Sequence, residues 1–183
     1  MVAAIIIPRH TGASASDAKA VQRVLDNLNQ ARVLDTAVVV NGDGSLLKGQ
    51  LAEHQTRLLS AAGADEMTVL RLAIETLRKD HLDGLLISST DPSVTTQAVF
   101  VDVLHEFWRS QRRIIVSRHD GKRTTPIVLS SELFGAIGDG TGSLFSFIER
   151  HAQHLQVVEI SSEGALRRMN AAMTALPGGE SDL

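Results

Sequence analysis

The stretch Asp83-Gly-Leu-Leu-Ile-Ser-Ser-Thr-Asp-Pro-Ser-Val-Thr-Thr96 decides the reading of the fold. Its short apolar run, read as a strand over Asp83–Ser89, is continuous rather than alternating, as expected where both faces of a sheet are covered. Asp91-Pro92 starts a turn. Thr95 or Thr96 then offers a hydroxyl to the first free N–H groups of a helix running to about Arg109. Strand, tight loop and helix in that order form half of a βαβ unit.

The rest of the chain repeats the theme. Ala3–Ile7, Thr36–Val40, Arg57–Ser60, Arg113–Ser117 and Leu155–Ile160 read as strands. After the polar loop Arg9–Ala15, Ser14 or Ser16 can cap a helix whose Ala20, Val21, Val24, Leu25 and Leu28 recur at helical spacing. Glu66–Lys79 reads as a helix with Met67, Leu70, Ile74 and Leu77 on one face. Short helices are expected over Leu46–Glu53, Glu132–Ile137 and Ser143–His151, and a last one over Gly164–Leu176. Asn41-Gly-Asp-Gly44 and His119-Asp-Gly121 read as turns, and Pro126–Leu129 as a short extended piece. Five or more strands alternating with helices imply an α/β fold, a three-layer α/β/α arrangement around a mostly parallel sheet. No repeat or linker divides it, so one domain over residues 1–176 with a polar tail over 177–183 is expected.

Composition limits the chemistry. The 183 residues are 43% hydrophobic and 21% charged, enough for a sizeable core. Aromatic residues make up only 3%, with no Tyr and one Trp, and the net charge is −3. Those numbers exclude an aromatic stacking platform and a basic footprint for nucleic acid. The absence of cysteine removes disulfides, zinc–thiolate sites, iron–sulfur clusters and a thiol nucleophile, and fits a reducing cytoplasm. The apolar start of the chain is too short to span a membrane and lacks the basic segment of a signal peptide.

In a sheet of this kind, ligands sit outside the carboxyl ends of the strands, near the point where strand order reverses. Four loops qualify: Pro8–Ser16, Asn41–Ser45, Ser88–Val94 and Arg118–Thr125. Asp91 would stand at the end of a central strand, where a carboxylate can hold Mg²⁺ shared with substrate phosphates. The same Asp-Pro pair serves equally as a turn, with the carboxylate accepting backbone N–H bonds. The loop Ile7-Pro-Arg-His-Thr-Gly-Ala-Ser14 precedes a helix, where phosphate-binding loops occur, and Arg9, His10 and Lys19 could add charge. It matches neither the Walker pattern nor the dinucleotide fingerprint. The seven histidines form no HExxH, and His151 and His154, three apart, suit a helix end. No Gly-x-Ser-x-Gly elbow is present.

From about Asp83 to His151 the chain resembles the molybdenum-cofactor nucleotidyltransferase family, the MobA/MocA-like transferases. The apolar strand with Asp91-Pro92 and Val94-Thr95 is similar to that family's D-x-P-h-(V/T)-T segment, where h is apolar. Thr125-Pro126-Ile-Val-Leu-Ser-Ser-Glu-Leu-Phe134 resembles G-H-P-V-L-L-S-x-E-L-F, and Gly138-Asp139-Gly140 resembles G-D-x-G-A-R. The resemblance implies a nucleotide-diphospho-sugar transferase-like fold. It also implies Mg²⁺-dependent transfer of a nucleotidyl group from a nucleoside triphosphate to a phosphorylated acceptor such as molybdopterin. Carried over by residue, Asp91 would be the catalytic Mg²⁺ ligand. Arg9, Gly12, Ser14 and Lys19 would bind the nucleotide. Thr125, Pro126, Gly138 and Asp139 would face the acceptor, a pterin-type molecule delivered toward a molybdoenzyme or partner subunit.

Three segments depart from the family pattern. The opening L-A-A-G-x-S-x-R-M-G-x-x-K becomes Ile6-Ile-Pro-Arg-His-Thr-Gly-Ala-Ser-Ala-Ser-Asp-Ala-Lys19, without the Arg-Met-Gly element. Asn170, in Arg168-Met-Asn-Ala-Ala-Met-Thr174, stands where the family has a second metal carboxylate, and Thr124-Thr125-Pro126 replaces G-H-P. A charge-assisted contact contributes about 1.5–3 kcal/mol, so losing several would slow transfer by powers of ten. The alternative implied by these departures is a catalytically inactive binding or accessory protein in cofactor maturation.

Overall fold

The computed structural model describes residues 1–8, 15–40, 47, 49, 51, 56–61, 63–77 and 81–160. The expected turn at 41–45, the helix over 164–176 and the tail over 177–183 lie outside these residues, as does most of 46–53.

Seven strands form one sheet: β1 (Val2–Ile6), β2 (Thr36–Val40), β3 (Thr56–Ser60), β4 (Gly84–Ser88), β5 (Ile114–His119), β6 (Lys122–Ser130) and β7 (Leu155–Glu159), in the order β3-β2-β1-β4-β6-β5-β7. All neighbours are parallel except β6, which is antiparallel to both β4 and β5. Among the described residues, the faces are covered by α1 (Ala15–Gln30), α2 (Glu66–Thr76), α3 (Gln97–Ser110), α4 (Phe134–Gly138) and α5 (Leu144–Arg150). The three-layer α/β/α fold read from the sequence is therefore present.

Alternation along each strand divides the core. Ala3, Ile5, Leu85, Ile87, Ile127 and Leu129 pack with Met67, Leu70 and Ile74 of α2 and Phe147 and Ile148 of α5. Their neighbours Val2, Ala4, Ile6, Leu86 and Val128 pack with Val21, Val24, Leu25 and Leu28 of α1 and Phe100, Val103 and Phe107 of α3. Every residue of β1, β2 and β4 is buried, which is why those strands read as unbroken apolar runs.

Local signals set the helix ends. Asp65 caps α2 by accepting from the Thr68 N–H at 2.8 Å, and this bond is the main reason its carboxyl titrates below the ordinary carboxylate value. Thr96 caps α3 by accepting from the Val99 N–H, and Gln111 ends that helix in the left-handed region. The expected helix over 132–137 is a 3₁₀ turn, Ser131–Leu133, followed by α4.

The segment from 118 to 130 corrects the sequence reading. Instead of a loop and a short extended piece at 126–129, it is the arm of a hairpin whose second strand is the nine-residue β6. Asp120 and Gly121 both have positive φ, the geometry of a two-residue hairpin turn. Pro126 was the obstacle to reading a central strand, because proline cannot donate to a ladder. A register shift between Val116 and Ser117 removes the conflict. Val116 pairs with Ile127 and Ser117 with Thr124, which leaves Thr125 and Pro126 in a bulge. The Thr125–Pro126 peptide is cis, and the buried Ser117 hydroxyl donates to the Pro126 carbonyl at 2.6 Å.

Candidate active site at the carboxyl end of β4

Strand order runs outward from β1 through β2 to β3 on one side, and through β4 on the other. The switch point is therefore between β1 and β4, and the crevice opens at their carboxyl ends. The Ile7 N–H donates to the Ser88 carbonyl at 2.8 Å, carrying their pairing one step beyond the strands. Two of the four loops selected from the sequence leave from that point, after β1 and after β4; residues 9–14 of the first lie outside the described residues. The hairpin tip joins them from the other side of β4, through β6. The loop after β2 lies outside the described residues.

Asp91 is half-buried in the loop after β4. Its Oδ1 accepts from the Ser93 N–H at 3.0 Å and from the Ser93 hydroxyl at 2.7 Å. Its carbonyl accepts from the Thr95 hydroxyl at 2.7 Å and from the Val94 N–H at 3.3 Å. Both readings of Asp91-Pro92 thus describe one residue, a turn-former whose carboxylate is held at the carboxyl end of a central strand. The buried Thr95 gives its carbonyl to Asn27 of α1, which donates at 2.8 Å.

The bulge in β6 supplies the other wall. The β4–β6 register pairs Ile87 with Ile127, and two steps further it sets Ser89 opposite Thr125. The Ser89 N–H donates to Thr125 Oγ1 at 3.3 Å, Thr125 Oγ1 donates to Ser89 Oγ at 2.8 Å, and Ser89 Oγ accepts from the Asp91 N–H at 3.3 Å. Thr125 is thus tied to the Asp91 loop, with the buried Pro126 next to it.

The remaining expected site residues are placed as follows. Lys19 lies on α1 near its amino-terminal end, exposed to solvent. Gly138 and Asp139 close α4 and line a separate pocket of about 390 Å³ with Arg71, Ile74, Glu75 and Phe134. Arg9, Gly12, Ser14 and Asn170 lie outside the described residues. His151 ends α5 with Nδ1 2.9 Å from the Phe147 carbonyl, consistent with the helix-end reading. Ser89, Ser93 and Asn27 are the participants the sequence reading missed. Ser93 had a usable signal, since a serine two residues after Asp in a turn commonly bonds back to it. Asn27 and Ser89 had none, because their partners are 68 and 36 residues away.

No protein-family model matches the chain, and no curated protein matches it. Solved structures do. Rv0371c from Mycobacterium tuberculosis H37Rv, in complex with manganese, superposes with a TM-score of 0.68 at 14% identity, covering 96% of this chain and 99% of that one. The 4-diphosphocytidyl-2C-methyl-D-erythritol synthase from Anaerococcus prevotii DSM 20548 gives 0.68 at 12% identity, covering 94% and 98%. A nucleotidyl transferase from Methanothermobacter gives 0.63 at 12% identity, covering 96% and 99%. The chain shares its three-layer α/β/α, nucleotide-diphospho-sugar transferase-like fold with these three structures. Among the described residues, no helix is long and apolar enough to cross a membrane.

Proposed function

We propose that the chain is a divergent nucleotidyltransferase of the MobA/MocA-like kind. It transfers a nucleotidyl group from a nucleoside triphosphate to a phosphorylated acceptor such as molybdopterin, in the cytoplasm. The observation that carries this reading is the place of Asp91. It is a carboxylate fixed by Ser93 at the carboxyl end of β4, beside the switch point, in the fold of nucleotidyltransferases.

The donors around Asp91 suit a divalent cation of the Mg²⁺ or Mn²⁺ type. They are its carboxylate and the hydroxyls of Ser89 and Ser93, all hard oxygens. Among the described residues no group of three acidic or histidine side chains could hold a metal alone. Mg²⁺ commonly uses one or two carboxylates and completes its shell with water and substrate phosphates. That pattern fits Asp91, with Asn170 as the weaker second donor the resemblance implies. The manganese in the Rv0371c structure supports the same ion class. When bound, such an ion neutralises charge on the triphosphate.

The chain's own groups do the positioning. Arg9, Gly12, Ser14, Lys19 and the amino terminus of α1 would receive the phosphates. The acceptor would approach from the side of Thr125 and Pro126, so that an acceptor phosphate oxygen attacks the α-phosphorus and pyrophosphate leaves in line.

Isothermal titration with CTP, GTP and ATP, with and without Mg²⁺, tests this. We expect Mg²⁺-dependent binding of one nucleotide that Asp91→Asn abolishes. Binding indifferent to both Mg²⁺ and Asp91 would favour the alternative, a catalytically inactive accessory protein.

A further inference from the structure

We infer that Thr125 is a positioning residue for Asp91, acting through Ser89, rather than a group that only lines the acceptor side. This rests on the proposed role of Asp91 as the metal carboxylate.

Among the described residues, the segment after β4 is tied to other elements by Asn27 on α1, by the continuation of β1–β4 pairing at Ser88, and by Thr125. Thr125 reaches the backbone N–H of Asp91 in two links: Thr125 Oγ1 to Ser89 Oγ at 2.8 Å, then Ser89 Oγ to the Asp91 N–H at 3.3 Å. The hydroxyl is used in both directions, since it also accepts from the Ser89 N–H at 3.3 Å.

The sheet explains why this hydroxyl is in place. β4 ends at Ser88, so the Ser89 N–H, set opposite Thr125, finds a side-chain oxygen where a ladder would offer a carbonyl. The bulge that accommodates Pro126 takes Thr125 out of pairing with β5. Bulges next to sites commonly re-aim a side chain in this way. The β5–β6 hairpin is thereby coupled to the metal carboxylate at the other side of β4. Partners of metal ligands typically change metal affinity 10- to 100-fold when removed.

The test is a Mn²⁺ titration of the full chain, free and bound ion being counted by electron paramagnetic resonance. Thr125→Val keeps the shape of the side chain and removes the hydroxyl; Thr125→Ser keeps the hydroxyl. We expect Thr125→Val to weaken Mn²⁺ binding about 10-fold or more and Thr125→Ser to stay within about 3-fold of the parent. Hydrogen exchange at the Ser89 amide should quicken in Thr125→Val alone, which reads the tether without metal. The inference is overturned if Thr125→Val binds Mn²⁺ like the parent, if Thr125→Ser fails to restore binding, or if Ser89 exchange is unchanged. A parent-like Asp91→Asn titration would instead overturn the metal-site reading, and this inference with it. Loss in Asp91→Asn but not in Thr125→Val would overturn the positioning role alone.

Discussion

Gly84→Ala should destabilise the protein while leaving the proposed site around Asp91 untouched. Gly84 opens β4, where the antiparallel β6 crosses close on one side and α3 lies over the other. A Cβ there would sit 2.9 Å from the Leu129 carbonyl oxygen and 2.9 Å from Phe107 Cζ, with Cε1 at 3.3 Å. Carbon pairs rest at about 3.5–4.0 Å, so the ring contact alone is short by about 0.6 Å or more. The ring cannot swing into solvent, because Phe107 is buried, and the carbonyl belongs to a residue paired with Leu85 in the ladder. Overpacking of this kind costs about 1–3 kcal/mol. For a domain of this size each kcal/mol lowers Tm by about 2–4 °C, which gives a loss of about 2–12 °C. Urea unfolding followed by circular dichroism at 25 °C would give the free energy directly. Adding Phe107→Leu should recover the part due to the ring and not the part due to the carbonyl. Strand rise puts Gly84 about 13 Å from Ser88 along β4, so nucleotide affinity should be unchanged in the folded variant. Parent-like or higher stability in Gly84→Ala would refute the close β4–β6–α3 packing.

Ser117→Ala should cost about 1–3 kcal/mol in urea unfolding, because it leaves the buried Pro126 carbonyl without the donor now 2.6 Å away. Stability close to the parent would mean that the bulge does not depend on that bond. Asp65→Asn tests the cap of α2. Because the folded carboxyl titrates below its unfolded value, chiefly through the Thr68 N–H, its contribution is full above the ordinary carboxylate value and is lost as pH falls through the lowered one. Denaturation curves should therefore separate parent from Asp65→Asn at pH 7 and bring them closer near pH 3; a gap independent of pH would contradict the charged cap. The Mn²⁺ titrations of Thr125→Val and Thr125→Ser make the fourth prediction.

What the sequence revealed and what it hid follow from the range of the interactions. β1, β2 and β4 are buried on both faces, so their continuous apolar runs named them, and the capping residue Thr96 stood within three residues of the N–H group it satisfies. α1 and α2 showed their apolar faces because each packs one side against the sheet. β6 was hidden because it begins with the exposed Lys122 and Arg123 and carries a proline. Its pairing became possible only through a bulge set by β5. At the site, Asp91 was legible as an acidic turn residue after a buried run. The bonds that aim it were not, since Asn27 reaches the Thr95 carbonyl across 68 residues and Thr125 reaches Ser89 across 36. The separation of Gly138 and Asp139 into a pocket against α2 likewise depends on how α4 packs, which no local pattern records.

The most direct measurement is pyrophosphate release. The chain would be incubated with Mg²⁺, each nucleoside triphosphate in turn, and molybdopterin, with Asp91→Asn beside it. We predict acceptor-dependent release, one pyrophosphate per acceptor modified, with a single preferred nucleotide. The Asp91→Asn variant should lose it by at least about 10²-fold, the scale of one electrostatic group in a transfer site. No release above the Asp91→Asn background with any nucleotide, from a folded protein that still binds one, would contradict the transferase reading.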